Sequence, residues 1–388
     1  MIVQMGFEGG QIQTSIYVAG ESPWPIAPEE WEARAAETLA PGPFDYIAGG
    51  AGSESTMRAN LEAFERRRLR PRMLRGNRER DLSVAVLGTS SPAPFLLAPV
   101  GVLSIAHEEG ELAVARASAA TGVPIILSSA ASHSIEQVAE TMGDAARWFQ
   151  LYWVNDREIA ASLVSRAEAS GYGAIVVTVD TPMLGWRERD LKRAYLPFLA
   201  GDGCAQFFSD PVFRSRLESP PEEDPLAAAA AMLATFPNLD LTWDDLDWLR
   251  AQTDLPLLVK GVLAGEDAVL AFEHGADGVV VSNHGGRQVD GSVAALDALV
   301  DVRATVAAEA VVLMDGGIRR GADVLKALAL GADAVLLGRP YAYGLAVGGQ
   351  EGVEAVIRHL VADTDLTLAL VGAQSAGGLD GSWIAAPS

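Results

Sequence analysis

Short apolar runs rich in β-branched residues recur along the chain, and each is followed by a segment whose apolar positions return every three or four residues. A buried-strand pattern alternating with an amphipathic-helix pattern is what βαβ crossovers in a parallel sheet require. The strand-like runs are Phe95–Pro99, Pro124–Ser128, Trp148–Tyr152, Ala174–Asp180, Pro256–Lys260, Gly278–Ser282, Ala310–Asp315 and Ala334–Gly338. Helix-like stretches such as Asp156–Ser170, Gly265–His274 and Arg320–Leu330 lie between them. Eight strand-then-helix units predict an α/β fold closed into a TIM (β/α)8 barrel.

The polar residues sharpen this reading. Nearly every apolar run ends in a group with chemistry to offer: Ser128, Gln150 with Tyr152, Thr178 with Asp180, Lys260, Ser282 to His284, Asp315. Barrel enzymes carry their sites at strand C-termini, whereas an open doubly wound sheet concentrates them at one switch point. Spread over so many strands, the pattern favours the barrel.

Two regions fall outside the repeat. Residues 1–90 are expected to form an N-terminal extension and helical cap, with helices over Pro28–Leu39 and Glu54–Arg66 and PGPFDYIAGGAGSE as the loop between. Residues 91–377 then make the barrel, and 378–388 a C-terminal tail. Thr181–Leu255 far exceeds one crossover. Its excess, about 188–245, is expected to be an active-site lid with an alanine-rich helix in PPEEDPLAAAAAMLATFP.

Composition narrows the partners. Of 388 residues, 49% are apolar and 21% charged, which suits a globular chain and excludes disordered and fibrous classes. The formal net charge of −22 repels nucleic acid and anionic membranes, so neither is an expected partner. Cys204, the single cysteine, permits no internal disulfide and no multi-cysteine metal site. No histidine pair has metal-ligand spacing, so no metal is expected. The first thirty residues lack the basic start and apolar run of an export signal, and no apolar stretch approaches a membrane span, so a cytoplasmic location is expected.

SNHGGRQ, Ser282–Gln288, places His284 and Arg287 three apart just after a buried strand. An imidazole near neutral pKa suits a general base, and a bidentate guanidinium suits a carboxylate anchor. The bland alternative is a surface loop with an incidental histidine. Asp180 ends the strand AIVVTVD and needs a cation or donor if buried; His284 is the candidate partner, whose tautomer and imidazolium it would stabilise. Arg187 could duplicate the anchoring by Arg287. The alternatives are that Asp180 caps a turn and Arg187 lies on the lid surface.

Lys260 is one of only three lysines, with Lys192 and Lys326, among 29 basic residues, and it ends the apolar run LPLLVKG. It could serve as a point charge or, with a depressed pKa, form a Schiff base, so a barrel lyase is a rival. After the last two runs, Gly316, Gly317 and Gly338 free backbone amides near helix starts, and Arg319 and Arg339 add charge, which reads as a phosphate site. No G-x-G-x-x-G follows the first strand and no G-x-x-x-x-G-K-[ST] occurs, which disfavours a Rossmann nucleotide site or a triphosphatase.

FDYIAGGAGSE, LLAPVG, FQLYW, TVDTPMLGWRERD, LLVKGV, VSNHGGRQVDG, DGGIRRGADVLKALALGA and GRPYAYG occur in an order that resembles the FMN-dependent L-2-hydroxy acid oxidases and dehydrogenases, over roughly Ile26 to Gly377. The resemblance implies that the phosphate belongs to FMN. It implies His284 as catalytic base supported by Asp180, with Tyr46, Arg187 and Arg287 on the substrate carboxylate and Tyr152 on the substrate oxygen. It implies flavin contacts from the backbone of Pro99, Val100 and Gly101 and from Ser128, Gln150, Thr178, Lys260 and Ser282. Lys260 would face the pyrimidine side of the flavin and would not form an imine. Phosphate contacts are implied for Asp315, Gly317, Arg319, Gly338 and Arg339. The implied partners are a small 2-hydroxy acid and O2, in a homo-oligomer, tetramer or octamer.

Gly101 stands where most oxidases of this group carry alanine. That glycine, the GWR-x-RD continuation, the long lid and the GRPYA-x-G ending resemble lactate 2-monooxygenase, which decarboxylates its keto acid before release. The expectation is therefore a lactate 2-monooxygenase-like enzyme, with a plain oxidase releasing keto acid and H2O2, or a dehydrogenase, as alternatives. A noncatalytic flavin-binding relative would need His284 or Arg287 replaced, which they are not. Ala130 stands where relatives often carry Leu or Trp, so a larger substrate side chain would fit unless Trp153 and lid residues refill the space.

Overall fold

The computed structural model describes residues 9–385; residues 1–8 of the expected extension and 386–388 of the expected tail lie outside the described residues. Among the described residues ten strands occur in chain order: β1 Val84–Val86, β2 Thr89–Ser91, β3 Phe95–Leu97, β4 Ile125–Ser128, β5 Arg147–Tyr152, β6 Ile175–Thr178, β7 Leu257–Val262, β8 Gly278–Val281, β9 Val311–Met314 and β10 Ala334–Leu337. β3 to β10 pair in parallel, each with the next, and β10 returns to β3 to close an eight-stranded barrel.

Strand periodicity explains both the core and the site. Side chains of a strand alternate between faces, so one parity points into the barrel and the other toward the helices. The inward set includes Leu96, Ile126, Trp148, Val176, Leu258, Val280, Leu313 and Leu336, all buried together. Phe95, Leu97, Ile125, Phe149, Val177, Val259 and Val335 face outward into a second, larger core under the helices. Ser128, Gln150, Tyr152, Thr178, Lys260, Ser282 and Asp315 continue the inward parity at the strand C-termini. The polar groups are therefore the top layer of the barrel interior.

The hairpin β1–β2 was not apparent from the sequence. Its two three-residue strands are too short to show a period, yet Val84, Val86 and Leu87 pack onto the inward core from below, and Trp148 Nε1 donates to Thr89 Oγ1 at 2.8 Å. A second correction concerns the expected loop before Glu54: Pro41–Ala48 is a helix. Pro41 occupies its first position, where proline's fixed φ and missing N–H cost nothing, and Gly49 ends it.

Between β6 and β7 the chain forms several short helices, including Glu188–Arg193, Pro197–Ala200, Pro225–Thr235 and Asp244–Arg250. Phe207, Phe213 and Met232 of this segment are fully buried, which fixes much of it to the barrel wall. Helix Arg339–Val371 follows β10 and is broken at Gly348 and Gly349, whose backbone leaves the helical region. Among the described residues, no helix is long and apolar enough to cross a membrane.

Candidate active site

His284 follows β8 by three residues, at the start of a single tight turn, His284–Gly286. The turn is held from several sides: Ser282 Oγ accepts from the His284 amide at 3.0 Å, and Asn283 Oδ1 accepts from Gly286 N at 3.1 Å. Asn283 and Asn60 exchange reciprocal amide hydrogen bonds of 2.8 and 2.9 Å, tying the turn to helix Ser55–Arg66 of the N-terminal extension. So constrained, the His284 ring stands 2.8 Å from Asp180 Oδ1 through Nδ1 and 3.4 Å from the Tyr152 hydroxyl through Nε2.

Asp180 reaches that position because β7 has a register shift between Lys260 and Val262 at Gly261. Gly261 lies at φ +111°, and a Cβ there would fall 2.6 Å from the Asp180 Cβ, so only glycine permits the approach. Burial would raise the Asp180 pKa, but the His284 and Lys260 charges outweigh it and hold the carboxyl below its usual range. Burial lowers the His284 pKa, Asp180 opposes and Lys260 adds to the fall, leaving it below the ordinary histidine value. A neutral imidazole whose Nδ1–H is held by a carboxylate exposes Nε2 as the basic atom.

Arg187 and Arg287 share the mouth. Arg287 Nη1 donates to the carbonyls of Tyr46 and Gly49 at 2.7 and 2.8 Å, and Arg187 Nε donates to the Arg287 carbonyl at 3.2 Å. Both guanidinium carbons lie over the Tyr46 ring, at 5.9 Å for Arg187 and 5.2 Å for Arg287. Burial, with Arg187 beside it, pushes the Arg287 pKa down to about 9. Asp190 is the acidic group whose charge acts on this pair, and two adjacent buried cations suit the corner to a further carboxylate. Gln288 assembles it: its Oε1 accepts from Gly185 N and Arg187 Nη2, both at 3.3 Å, while its Nε2 donates to the carbonyls of Asp180 and Met183.

Below the mouth, Lys260 Nζ donates to Ser282 Oγ at 3.0 Å and pairs with Asp315 Oδ2 at 3.3 Å. Burial alone would lower the Lys260 pKa; Asp315 and Asp180 more than reverse it and raise it. An ammonium paired with Asp315 and bonded to Ser282 is a poor nucleophile, which argues against the Schiff-base lyase reading. Asp315 completes this group: its carboxylate accepts from Ser282 Oγ at 2.6 Å and is the counter-ion of Lys260 in the barrel top.

Gln150 Oε1 accepts from Ser128 Oγ at 3.0 Å, yet Gln150 Nε2 and Thr178 Oγ1 are buried with no partner. Groups like these cost free energy unless a ligand meets them. At the far end Gly317, Gly338, Arg319 and Arg339 surround the starts of helices Gly321–Ala329 and Arg339–Val371. Arg339 donates to the carbonyls of Ile47, Gly49 and Gly285, and Arg319 Nη1 to that of Ile318. Burial, and Arg319 nearby, lower the Arg339 pKa.

One cavity of about 430 Å³ joins these ends, running from Tyr46, Arg187 and His284 past Pro99, Val100, Gly101 and Lys260 to Gly317, Gly338, Arg319 and Arg339. Asp180, Ser282 and Ser128 are hydrogen-bonded to the lining residues His284, Lys260 and Ala130, Gln150 is bonded to Ser128, and Thr178 pairs in register with Lys260. Sequence reasoning missed Asn60, Asn283 and Gln288. Asn60 had a signal, an amide side chain on the buried face of a helix beside Thr56, Ala63 and Phe64; Gln288, beyond the strand, had none.

The model of the FMN-dependent dehydrogenase family matches residues 35–386, and the chain belongs to that family. It is an FMN-dependent 2-hydroxy acid oxidoreductase, with FMN as its cofactor. It is 43% identical to an L-lactate oxidase of Lysinibacillus sphaericus, over 93% of each chain. It is 42% identical to human 2-hydroxyacid oxidase 1, over 92% of this chain and 95% of the relative. A crystal structure of mandelate oxidase superposes with a TM-score of 0.81 at 40% identity, covering 91% of this chain and 96% of that one. The site fits the cofactor: orphaned Gln150 Nε2 and Thr178 Oγ1 beside the Lys260 ammonium suit a heterocycle edged with carbonyls and N–H, and Arg319 with Arg339 suits its phosphate.

Proposed function

We propose that the protein oxidises an L-2-hydroxy acid to the 2-keto acid with O2 as the final acceptor, releasing H2O2. The observation that carries this is the Asp180–His284 pair at 2.8 Å, set beside Arg187 and Arg287 on the wall of one cavity. Removing hydrogen from a carbon next to a carboxylate needs an anchored anion, a base and an electron sink. Arg187, Arg287 and Tyr46 hold the carboxylate. The Tyr152 hydroxyl, its pKa pushed up to about 12 by burial, stays protonated and hydrogen-bonds the substrate oxygen. His284 Nε2 takes a proton from the substrate, and Asp180 holds the imidazolium that results. Bound FMN supplies the two-electron acceptor that no side chain provides. The Pro99–Gly101 backbone, Ser128, Gln150, Thr178, Lys260 and Ser282 would hold its ring, and Gly317, Arg319, Gly338 and Arg339 its phosphate.

Oxidative decarboxylation, as in lactate 2-monooxygenase, is a second reading. It is favoured by Phe198, Leu233 and Phe236, which come from the β6–β7 insertion and line the cavity, an arrangement that would retain the keto acid. Gly101 supports it less directly than its sequence position implies. A Cβ at Gly101 would meet the Cβ and carbonyl oxygen of Ala130, both at 2.9 Å, so alanine there presses on the neighbouring loop as well as on the cavity. Residues 1–90 as cap, 91–377 as barrel, 188–245 as lid and 378–388 as tail are the division we propose, in a cytoplasmic homo-oligomer.

Product partition under air tests the reading. A keto acid and one equivalent of H2O2 per 2-hydroxy acid consumed support the oxidase. Carbon dioxide with the acid one carbon shorter supports the monooxygenase, and turnover with an artificial acceptor alone makes the enzyme a dehydrogenase. No flavin reduction by any 2-hydroxy acid overturns all three.

A further inference from the structure

The anion corner fixes one end of a substrate, and the groups that surround the other end decide which substrate fits. Beyond Tyr152 and His284, the cavity wall is made by Ala130, Met183, Leu184, Leu233, Phe236 and their apolar neighbours Phe198 and Pro237. None of these side chains carries a charge or a hydrogen-bonding group. A polar or charged substrate side chain would lose its hydration there without replacement, whereas an apolar one gains from burial.

Phe236 is the centre of this wall. Its ring meets Tyr152 edge-on at 5.7 Å between centroids and packs with Phe198 at 6.2 Å and Phe207 at 5.6 Å. Two asparagines clasp the backbone on either side of it. Asn155 N donates to the Thr235 carbonyl at 2.9 Å, and Asn155 Nδ2 to those of Ala234 and Pro237 at 2.9 and 3.3 Å. Asn238 N donates to the Pro182 carbonyl at 3.1 Å, and Asn238 Nδ2 to those of Trp153 and Val154 at 3.2 and 3.0 Å. Phe236 is thus bound to the loop that follows Tyr152 at the end of β5 and to the loop after β6 that carries Asp180. It is a rigid wall placed relative to the reacting atoms. Ala130, in the same lining, contributes only a methyl group.

We infer that this enzyme selects 2-hydroxy acids with a bulky apolar side chain, branched aliphatic or aryl, over glycolate and lactate, and that Phe236, held by Asn155 and Asn238, is the specificity-determining residue. The inference rests on the 2-hydroxy acid reading but concerns the pocket, so binding and turnover are read separately. Carboxylates without the hydroxyl cannot be oxidised and report the pocket alone. Acetate, 4-methylpentanoate and phenylacetate are titrated into the FMN-loaded enzyme and followed by the flavin absorbance change. Both larger acids should bind at least about tenfold more tightly than acetate, since a single well-packed methylene is worth that order.

Phe236→Ala should reduce that ratio several-fold, weakening the two larger acids more than acetate. Asn238→Ala, which removes the Nδ2 bonds to Trp153 and Val154 and not the ring, should reduce it in the same direction, with bound-FMN absorbance confirming a folded enzyme. Anaerobic flavin reduction by lactate, 2-hydroxy-4-methylpentanoate and mandelate then reads turnover, and the larger two should have the higher kcat/KM. Equal binding of acetate and phenylacetate overturns the inference, as does a Phe236→Ala variant that weakens all three carboxylates alike. Size selectivity in binding, with no reduction by any hydroxy acid, leaves the pocket assignment standing and overturns the proposed oxidation instead.

Discussion

His284 sits at φ +58°, in the left-handed region that side chains other than glycine rarely adopt, and such a backbone costs about 1 kcal/mol or more. The Ser282, Asn283 and Asn60 hydrogen bonds hold it there, and the return is an imidazole aimed at Asp180 and the cavity at once. His284→Ala should lower the rate of anaerobic flavin reduction by several orders of magnitude with FMN still bound, as stopped-flow absorbance would show. The sign of the pH dependence follows from the lowered His284 pKa. The base is active when neutral, so the rate falls as pH drops through that pKa, and the acid limb should lie below about 6.5, the ordinary histidine value. Asp180→Asn removes the charge that opposes the lowering, so the limb should move further down in pH while the maximal rate also falls. Arg287→Lys keeps one charge but loses the planar fork. Its kcat/KM should fall through KM more than through kcat, and a fall confined to kcat would place Arg287 elsewhere in the reaction.

At the scale of elements, the barrel strands were legible because burial on both faces leaves continuous apolar runs, and because each run stops where the inward parity turns polar at Ser128, Thr178, Lys260 and Asp315. His284, Asp180 and the arginines were legible for the same reason: they follow strand ends, where chemistry is placed. Other features left no such mark. The strands Val84–Val86 and Thr89–Ser91 are shorter than any period, and helix Pro41–Ala48 is hidden by prolines and glycine that read as a loop. The Asn60–Asn283 pair joins residues far apart in sequence, and only the closed fold brings them together. Asn60 Oδ1 also accepts from Ala295 N, so one amide ties helix Ser55–Arg66 to the His284 turn and to helix Ala295–Thr305. Asn60→Ala would strip the Asn283 amide of both its bonds to Asn60, leaving it Gly286 N and the Val293 carbonyl, and would take the acceptor from the Ala295 N–H in a buried place. A loss of about 2 kcal/mol in unfolding free energy follows, with weaker retention of FMN. Asn60→Leu, which fills the space but not the hydrogen bonds, should be no better in denaturant titration.

For the whole molecule, the net charge of −22 conceals a local reversal. Acidic residues dominate the composition, yet Arg187, Arg287, Arg319, Arg339 and Lys260 all line one cavity, with Asp315 the acidic group among its lining residues. The pKa values of Arg287 and Arg339 are lowered by burial and then by neighbouring arginines, so without an anion these cations oppose one another in the folded state. On the proposed placement, FMN would bring a phosphate dianion to Arg319 and Arg339 and carbonyl groups to Lys260, Gln150 and Thr178. Its removal should therefore destabilise the fold well beyond the loss of buried ring area. Saturating FMN at about a hundred times its Kd is worth about 2.7 kcal/mol by mass action alone. The apoprotein should consequently melt several degrees lower than the holoenzyme, and the origin of that difference can be separated. If cation repulsion contributes, inorganic phosphate should raise the Tm of the apoprotein more than sodium chloride does at equal ionic strength, because a dianion occupies the Arg319–Arg339 end while chloride only screens. Arg339→Gln should remove the extra effect of phosphate. Equal responses to phosphate and chloride would assign the stabilisation to the ring contacts instead of the phosphate end.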